Sequence, residues 1–245
     1  MQDTASEDAR AQLGEMLQAH LAEANRLRRA AETDPALQAA RQALRQWQAA
    51  RLARTHADLL ASARYGAAAR FFLDELYGGG DLSERDHEIA RVVPKVVAMM
   101  PEGGLRVVTL ALELDALSER LDAAMVEALG ENCHTGAIDA ARWAAAYRAS
   151  GNHAARARQI ELTDLVGRAL NALTQKPLIG VTLRMMRAPA ALAGLASLHA
   201  FLESGYQSFA AMKGADEFVA TIVGRERAIM QAVFAGDDSV LQAPG

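Results

Sequence analysis

A chain of 245 residues can bury a sizeable core, and no long Pro/Gly/Ser-rich linker divides it. Hydrophobic residues make up 51% and aromatic ones only 5%, so Ala and Leu fill the apolar share, a bias that suits helices better than sheets. The formal charge of −4 argues against a generic nucleic-acid footprint, and the lone cysteine, Cys133, excludes an intramolecular disulfide and a thiolate metal cluster. The expected fold is all-α: a compact multi-helix bundle with antiparallel neighbouring helices. Residues 1–33 are expected to form a loosely packed N-terminal helix, 34–235 a single helical domain and 236–245 a flexible tail. The N-terminus is acidic where a secretory signal would be basic, and Arg184 and Arg187 interrupt the apolar stretch from Pro177 to Leu202. A cytoplasmic protein without a transmembrane segment is expected.

The first helix is predicted over about Glu7 to Ala31, with Leu13, Met16 or Leu17, His20 or Leu21, Ala24 and Leu27 at helical spacing. Asp34 offers an N-cap and Pro35 the favoured first helical position. That second helix runs toward Leu76, with Gly66 as the point of a bend. Gly78-Gly79-Gly80-Asp81 reads as a turn, and Ser83 with Asp86 has capping-box spacing; Asp86 and Glu88 sit favourably near a helix N-terminus. The following Ile89, Val92, Val93, Val96 and Val97 are read as helix rather than strand, because Pro94 argues against a central strand.

From Glu102 to about Leu129 a regular stripe of Val107, Leu110, Leu114, Leu117, Leu121, Met125 and Ala128 lies opposite Asp115, Glu119 and Asp122, which read as a solvated acidic face. Shorter helices are predicted over Ala137–Ala149, His153–Leu173 and Leu178–Met186. Pro189 then starts a helix whose stripe is Leu192, Leu195, His199, Leu202, Tyr206 and Phe209. A last helix, Asp216 to Phe234, turns Phe218, Ile222 and Ile229 inward.

Two histidines stand on apolar faces: His56 with Leu52, Leu59 and Leu60, and His199 within the late stripe, one turn before Glu203. A polar group buried there requires a partner. With the neighbouring Asp58, Arg64 and Tyr65, the residues His56, His199 and Glu203 are the candidates for a ligand or polar site; the plainer reading is a set of satisfied boundary residues. The His-Glu-x-x-His motif and the paired Glu-x-x-His units of di-iron bundles are missing, so no metal is expected, and the residues name no cofactor. Arg184 and Arg187 beside Met185 and Met186 suit an anion, a membrane surface or, more simply, a helix surface whose aliphatic stems cover apolar neighbours. Cys133-His134 lacks the partners of a nucleophile.

The densest local signal is an aromatic helix end, a glycine turn and a capped start, marked by Phe71, Phe72, Tyr77, Gly78, Asp81, Ser83, Arg85 and Asp86. It is not a phosphate loop, since the Gly-Lys-Ser/Thr arrangement is missing. This stretch, with Arg64-Tyr65, Glu113-Leu114-Asp115-Ala116-Leu117-Ser118 and Met186-Arg187-Ala188-Pro189-Ala190, resembles a family of uncharacterised bacterial helical proteins from about Leu44 to the last helix. Relatives carry proline where this chain has Gly79. The resemblance implies an all-helical fold and brings no activity, cofactor or catalytic residue.

The leading functional expectation is a helical interaction or small-ligand-binding protein. The Ala/Gln/Arg-rich helix around Gln38–Arg54 suits packing against a partner subunit, either in a homodimer or with another protein. The alternative is a metal- or cofactor-dependent enzyme with a site buried between helices at His56 and His199. Nucleic-acid association would rest on local Arg clusters alone.

Overall fold

The structure, a computed structural model, describes residues 2–77, 88, 91–92, 102–133 and 138–242. Among these the chain is all-α, with no strand. Its α-helices are α1 (Gln2–Glu32), α2 (Pro35–Thr55), α3 (Ala57–Ala61), α4 (Gly66–Tyr77), α5 (Glu102–Leu129), α6 (Ala140–Ala149), α7 (His153–Thr174), α8 (Pro177–Leu192), α9 (Ala196–Ala211) and α10 (Asp216–Phe234). Of the predicted turn, Gly78, Asp81, Ser83, Arg85 and Asp86 lie outside the described residues, as do Val93 to Met100.

The long helix α5 organises the first half. Leu13, Leu17 and Leu21 of α1 pack on Leu105, Val108 and Leu112 at its start, while Ala40 and Leu44 of α2 join Met125, Val126 and Leu129 at its end. Asp34 caps α2, its carboxylate accepting from the amides of Ala36 and Leu37. The main core continues through Trp143 and Tyr147 of α6 to Phe209 of α9 and Phe218, Val219 and Val233 of α10. Past Gly236 the chain turns back, and Leu241 is buried in the same core while Asp238 pairs with Arg148.

Two helix boundaries depart from the sequence reading. The bend expected at Gly66 is present as the break between α3 and α4, and a second break, not expected, falls at His56, where φ −117° and ψ 28° end α2. No glycine or proline marks it; the carbonyl of Thr55 accepts from Arg225 of α10 at 3.0 Å, so a tertiary contact stabilises the interruption. Gly66 opens α4 after the α3–α4 break, and a Cβ there would stand 2.7 Å from the Leu60 carbonyl oxygen. Second, α8 continues through Pro189 to Leu192. Gly194, with φ +67°, ends it, and the Leu195 amide donates to Ala190 O at 2.8 Å in a Schellman-type closure. The predicted late stripe is therefore split between α8 and α9, and Leu192, expected inward, is 91% exposed.

Candidate functional site

The acidic face of α5 is not solvated. Glu119 is buried and accepts from three arginines: Arg28 Nε at 3.1 Å, Arg45 Nη2 at 2.6 Å, and Arg41. Asp115 takes the other end of Arg28 at 2.5 Å. Asp122 accepts from Gln48 Nε2 at 3.0 Å, and burial pushes its carboxyl up. One side of the Arg/Gln-rich helix α2 packs inside the chain, with Arg41, Gln48 and Arg51 buried, while Gln38, Gln42, Gln46 and Arg54 stay exposed.

The seam ends at the α2–α3 junction. Arg51 Nη1 lies 2.5 and 2.7 Å from the two carboxylate oxygens of Glu226. His56 Nε2 donates to Glu226 Oε1 at 3.2 Å, since a carboxylate can only accept, which puts the proton of a neutral ring on Nε2. Burial alone would raise the Glu226 carboxyl; Arg51 and the His56 hydrogen bond outweigh it and hold it down to about 2. The next residue along α10, Arg225, grips Asp58 at 2.6 and 2.8 Å and lowers its carboxyl to about 2. Beside this node Trp47 stacks on Trp143 with centroids 4.8 Å apart, and Trp143 on Tyr147 at 4.7 Å. Arg156 lies 4.5 Å over the Tyr147 ring.

His199 and Glu203 serve a different joint. His199 Nε2 donates to Leu183 O at 2.8 Å, and Arg187 binds Glu203 through two nitrogens at 2.7 and 3.1 Å, lowering its carboxyl. Both contacts fasten α9 to the inner face of α8, where Gly180 also lets Tyr206 approach. Among the described residues the two histidines share no partner. Among the described residues no three His, Cys, Asp or Glu side chains stand close enough to hold a metal ion.

Arg64 and Tyr65 reach a third place. Arg64 donates to the carbonyls of Met212 at 2.8 Å and Gly214 at 3.0 Å, and Tyr65 Oη to Glu217 at 2.5 Å, so the α3–α4 turn grips the α9–α10 turn. Phe71 packs on Phe201 with centroids 5.5 Å apart, and Phe72 on Phe209 at 5.6 Å, joining α4 to α9. Glu88 meets a helix N-terminus, as its sequence position suggests, but that of α9: its carboxylate accepts from the amides of Ser197 and Leu198.

The outer face of α8 extends the Met185–Met186 patch noted in the sequence into a stripe whose full length the sequence reading missed. Leu178, Val181, Met185, Ala188 and Leu192 follow one another at three- and four-residue steps, the spacing of a single helical stripe. Leu178 is 74% exposed, Met185 73% and Val181 42%. With Met186 and Leu202, the α8–α9 hairpin supplies six of the eight large exposed hydrophobics among the described residues, so exposure is concentrated rather than scattered. The signal was present in the sequence but was assigned to two helices broken at Pro189.

Two clefts among the described residues are small by comparison. One cleft, lined by His20, Glu23, Glu113, Arg120 and Arg158, holds about 140 Å³, and its arginines already pair with its carboxylates. Another, beside Leu129 and Arg142, holds about 200 Å³. Small-molecule sites typically measure about 300–1,000 Å³.

Fold and surface together define an all-helical protein that carries a charged seam inside and a concentrated apolar ridge outside. The chain belongs to the family described as a domain of unknown function, DUF8198, whose model matches residues 27–240. No curated protein and no solved structure matches the chain.

Proposed function

We propose that the protein works by association, as a helical interaction protein whose docking surface is the outer face of the α8–α9 hairpin. The observation that carries this reading is the ridge of Leu178, Val181, Met185 and Leu192, about 21 Å long at the 1.5 Å rise of a helix. Leaving such side chains in water costs free energy that burial against a partner would recover, at about 1.5–3 kcal/mol for each large apolar side chain fully buried. The inner face of α8 is held by Arg187–Glu203, His199–Leu183 and the Gly180 approach, so the ridge is presented on a fixed support. The charged seam of Glu119, Asp122 and Glu226 belongs to that support: it sets how α1, α2, α5 and α10 fit together.

The experiment is a comparison of wild type with the triple variant L178S/M185S/L192S, using fluorescence of an environment-sensitive apolar dye. Wild type is expected to bind the dye and the variant to lose most of the signal with an unchanged melting temperature. Equal dye binding by both would remove the ridge from the function.

A further inference from the structure

Between Lys176 and Lys213 the chain carries four cations, Lys176, Arg184, Arg187 and Lys213, and a single carboxylate, Glu203. All four cations are exposed, whereas Glu203 is buried under Arg187. At the Leu192 end the exposed Arg91 donates to Ala193 O at 3.0 Å and adds another positive charge, while Glu88 is buried beneath the α9 N-terminus. From Lys176 through α8 and α9, and at Arg91, the exposed formal charge is therefore wholly positive, in a chain whose net charge is −4. Its aromatic side chains, Phe201, Tyr206 and Phe209, are turned at least partly inward.

Resting on the docking reading above, we propose that the α8–α9 face seats the protein peripherally on an anionic lipid surface. Leu178, Met185 and Leu192 enter the headgroup boundary, and Lys176, Arg184 and Arg91 meet lipid phosphates. An apolar stripe flanked by Lys and Arg is the composition of helices that lie in a membrane interface. Protein hot spots are instead centred on Trp, Tyr and Arg in desolvated pockets, and this face exposes aliphatic and Met side chains on a ridge. A second copy docked ridge to ridge would bring like charges together. No described helix is long and apolar enough to cross a membrane, so the contact is interfacial.

Flotation of the full chain with vesicles of phosphatidylcholine alone, or containing about 30% phosphatidylglycerol, tests this. Flotation is expected on the anionic vesicles, at least about tenfold weaker on the neutral ones and weakened further by 0.5 M salt. R184E is expected to lose about tenfold, and L178S/M185S/L192S at least as much, both with wild-type helicity and melting. Equal partitioning to both vesicles, or none, overturns the lipid inference. If flotation fails but the triple variant still abolishes dye binding, the docking face stands with another occupant; if dye binding is also unaffected, the docking reading falls with it. A dimer that dissociates in the triple variant names a second copy and likewise overturns the lipid inference.

Discussion

Arg51 of α2 and Glu226 of α10, 175 residues apart in the chain, form an ion pair in which one guanidinium nitrogen lies within 2.7 Å of both carboxylate oxygens. The pair closes the bundle at the point where α2 breaks, and His56, the residue at the break, shares the same carboxylate. Replacing Glu226 by Gln leaves Arg51 buried opposite a neutral amide. Removing one partner of a buried pair costs about 3–5 kcal/mol. Urea denaturation of E226Q is expected to show a loss of that order with an unchanged m-value, and a loss below about 0.5 kcal/mol would mean that water already compensates the pair.

Acid should unfold the protein through the same joint. The Glu226 carboxyl is held at about 2 in the folded chain, against about 4.3 when unfolded. A depressed folded value stabilises fully above the unfolded value and loses that contribution as pH falls toward 2. Asp58, also held at about 2 by Arg225, adds in the same direction, discounted because it is half exposed. Wild-type stability is expected to decline between about pH 4.5 and pH 2, and the E226Q curve to decline less over that interval. Parallel curves would show that Glu226 does not carry the linkage.

Asp122 has the opposite sign. Burial raises its carboxyl, so its ionised form disfavours folding above the ordinary aspartate range and protonation relieves it. D122N keeps an acceptor for Gln48 while removing the buried charge. It is expected to be at least as stable as wild type at pH 7, with the difference shrinking toward pH 3; a clear loss at pH 7 would show that the nearby Arg45 and Arg156 outweigh desolvation.

Much of the fold was legible from periodicity. The spans Glu102–Leu129 and Asp216–Phe234 coincide with α5 and α10, because a long apolar stripe at helical spacing leaves little choice. What failed was the reading of charge and of punctuation. Asp115, Glu119 and Asp122 look solvated in one dimension, and only the approach of Arg28, Arg41, Arg45 and Gln48 from α1 and α2 buries Glu119 and makes partly buried acceptors of Asp115 and Asp122. Pro189 reads as a boundary, but α8 continues past it at the loss of one amide donor, and Gly194 two residues after Leu192 sets the end. His56 and His199 stand on apolar faces with Asp58, Arg64, Tyr65 and Glu203 as polar neighbours; each has partners, but they fasten three separate joints, a distribution that no spacing rule encodes.

The contact between α7 and α10 is expected to be intolerant of a single methyl group. A Cβ at Gly167 would stand 2.8 Å from Val219 Cγ2, and Val219 is buried and stiff at χ1. G167A should cost about 1–3 kcal/mol by overpacking, despite the better helix propensity of Ala. Calorimetric melting would register it, and a raised midpoint would show that the helices separate without strain.

Methionine oxidation read by mass spectrometry, in dilute peroxide with and without anionic vesicles, is the most direct measurement of the α8 face. Met185 is 73% exposed, whereas Met125 and Met212 are fully buried, so the three act as a reporter and two internal controls in one chain. Met185 is expected to oxidise at least about tenfold faster than either control in the free protein, and to be protected when the vesicles are added. Oxidation of Met185 as slow as that of Met125 in the free protein, or unchanged by a surface that the protein demonstrably binds, would contradict a docking role for α8.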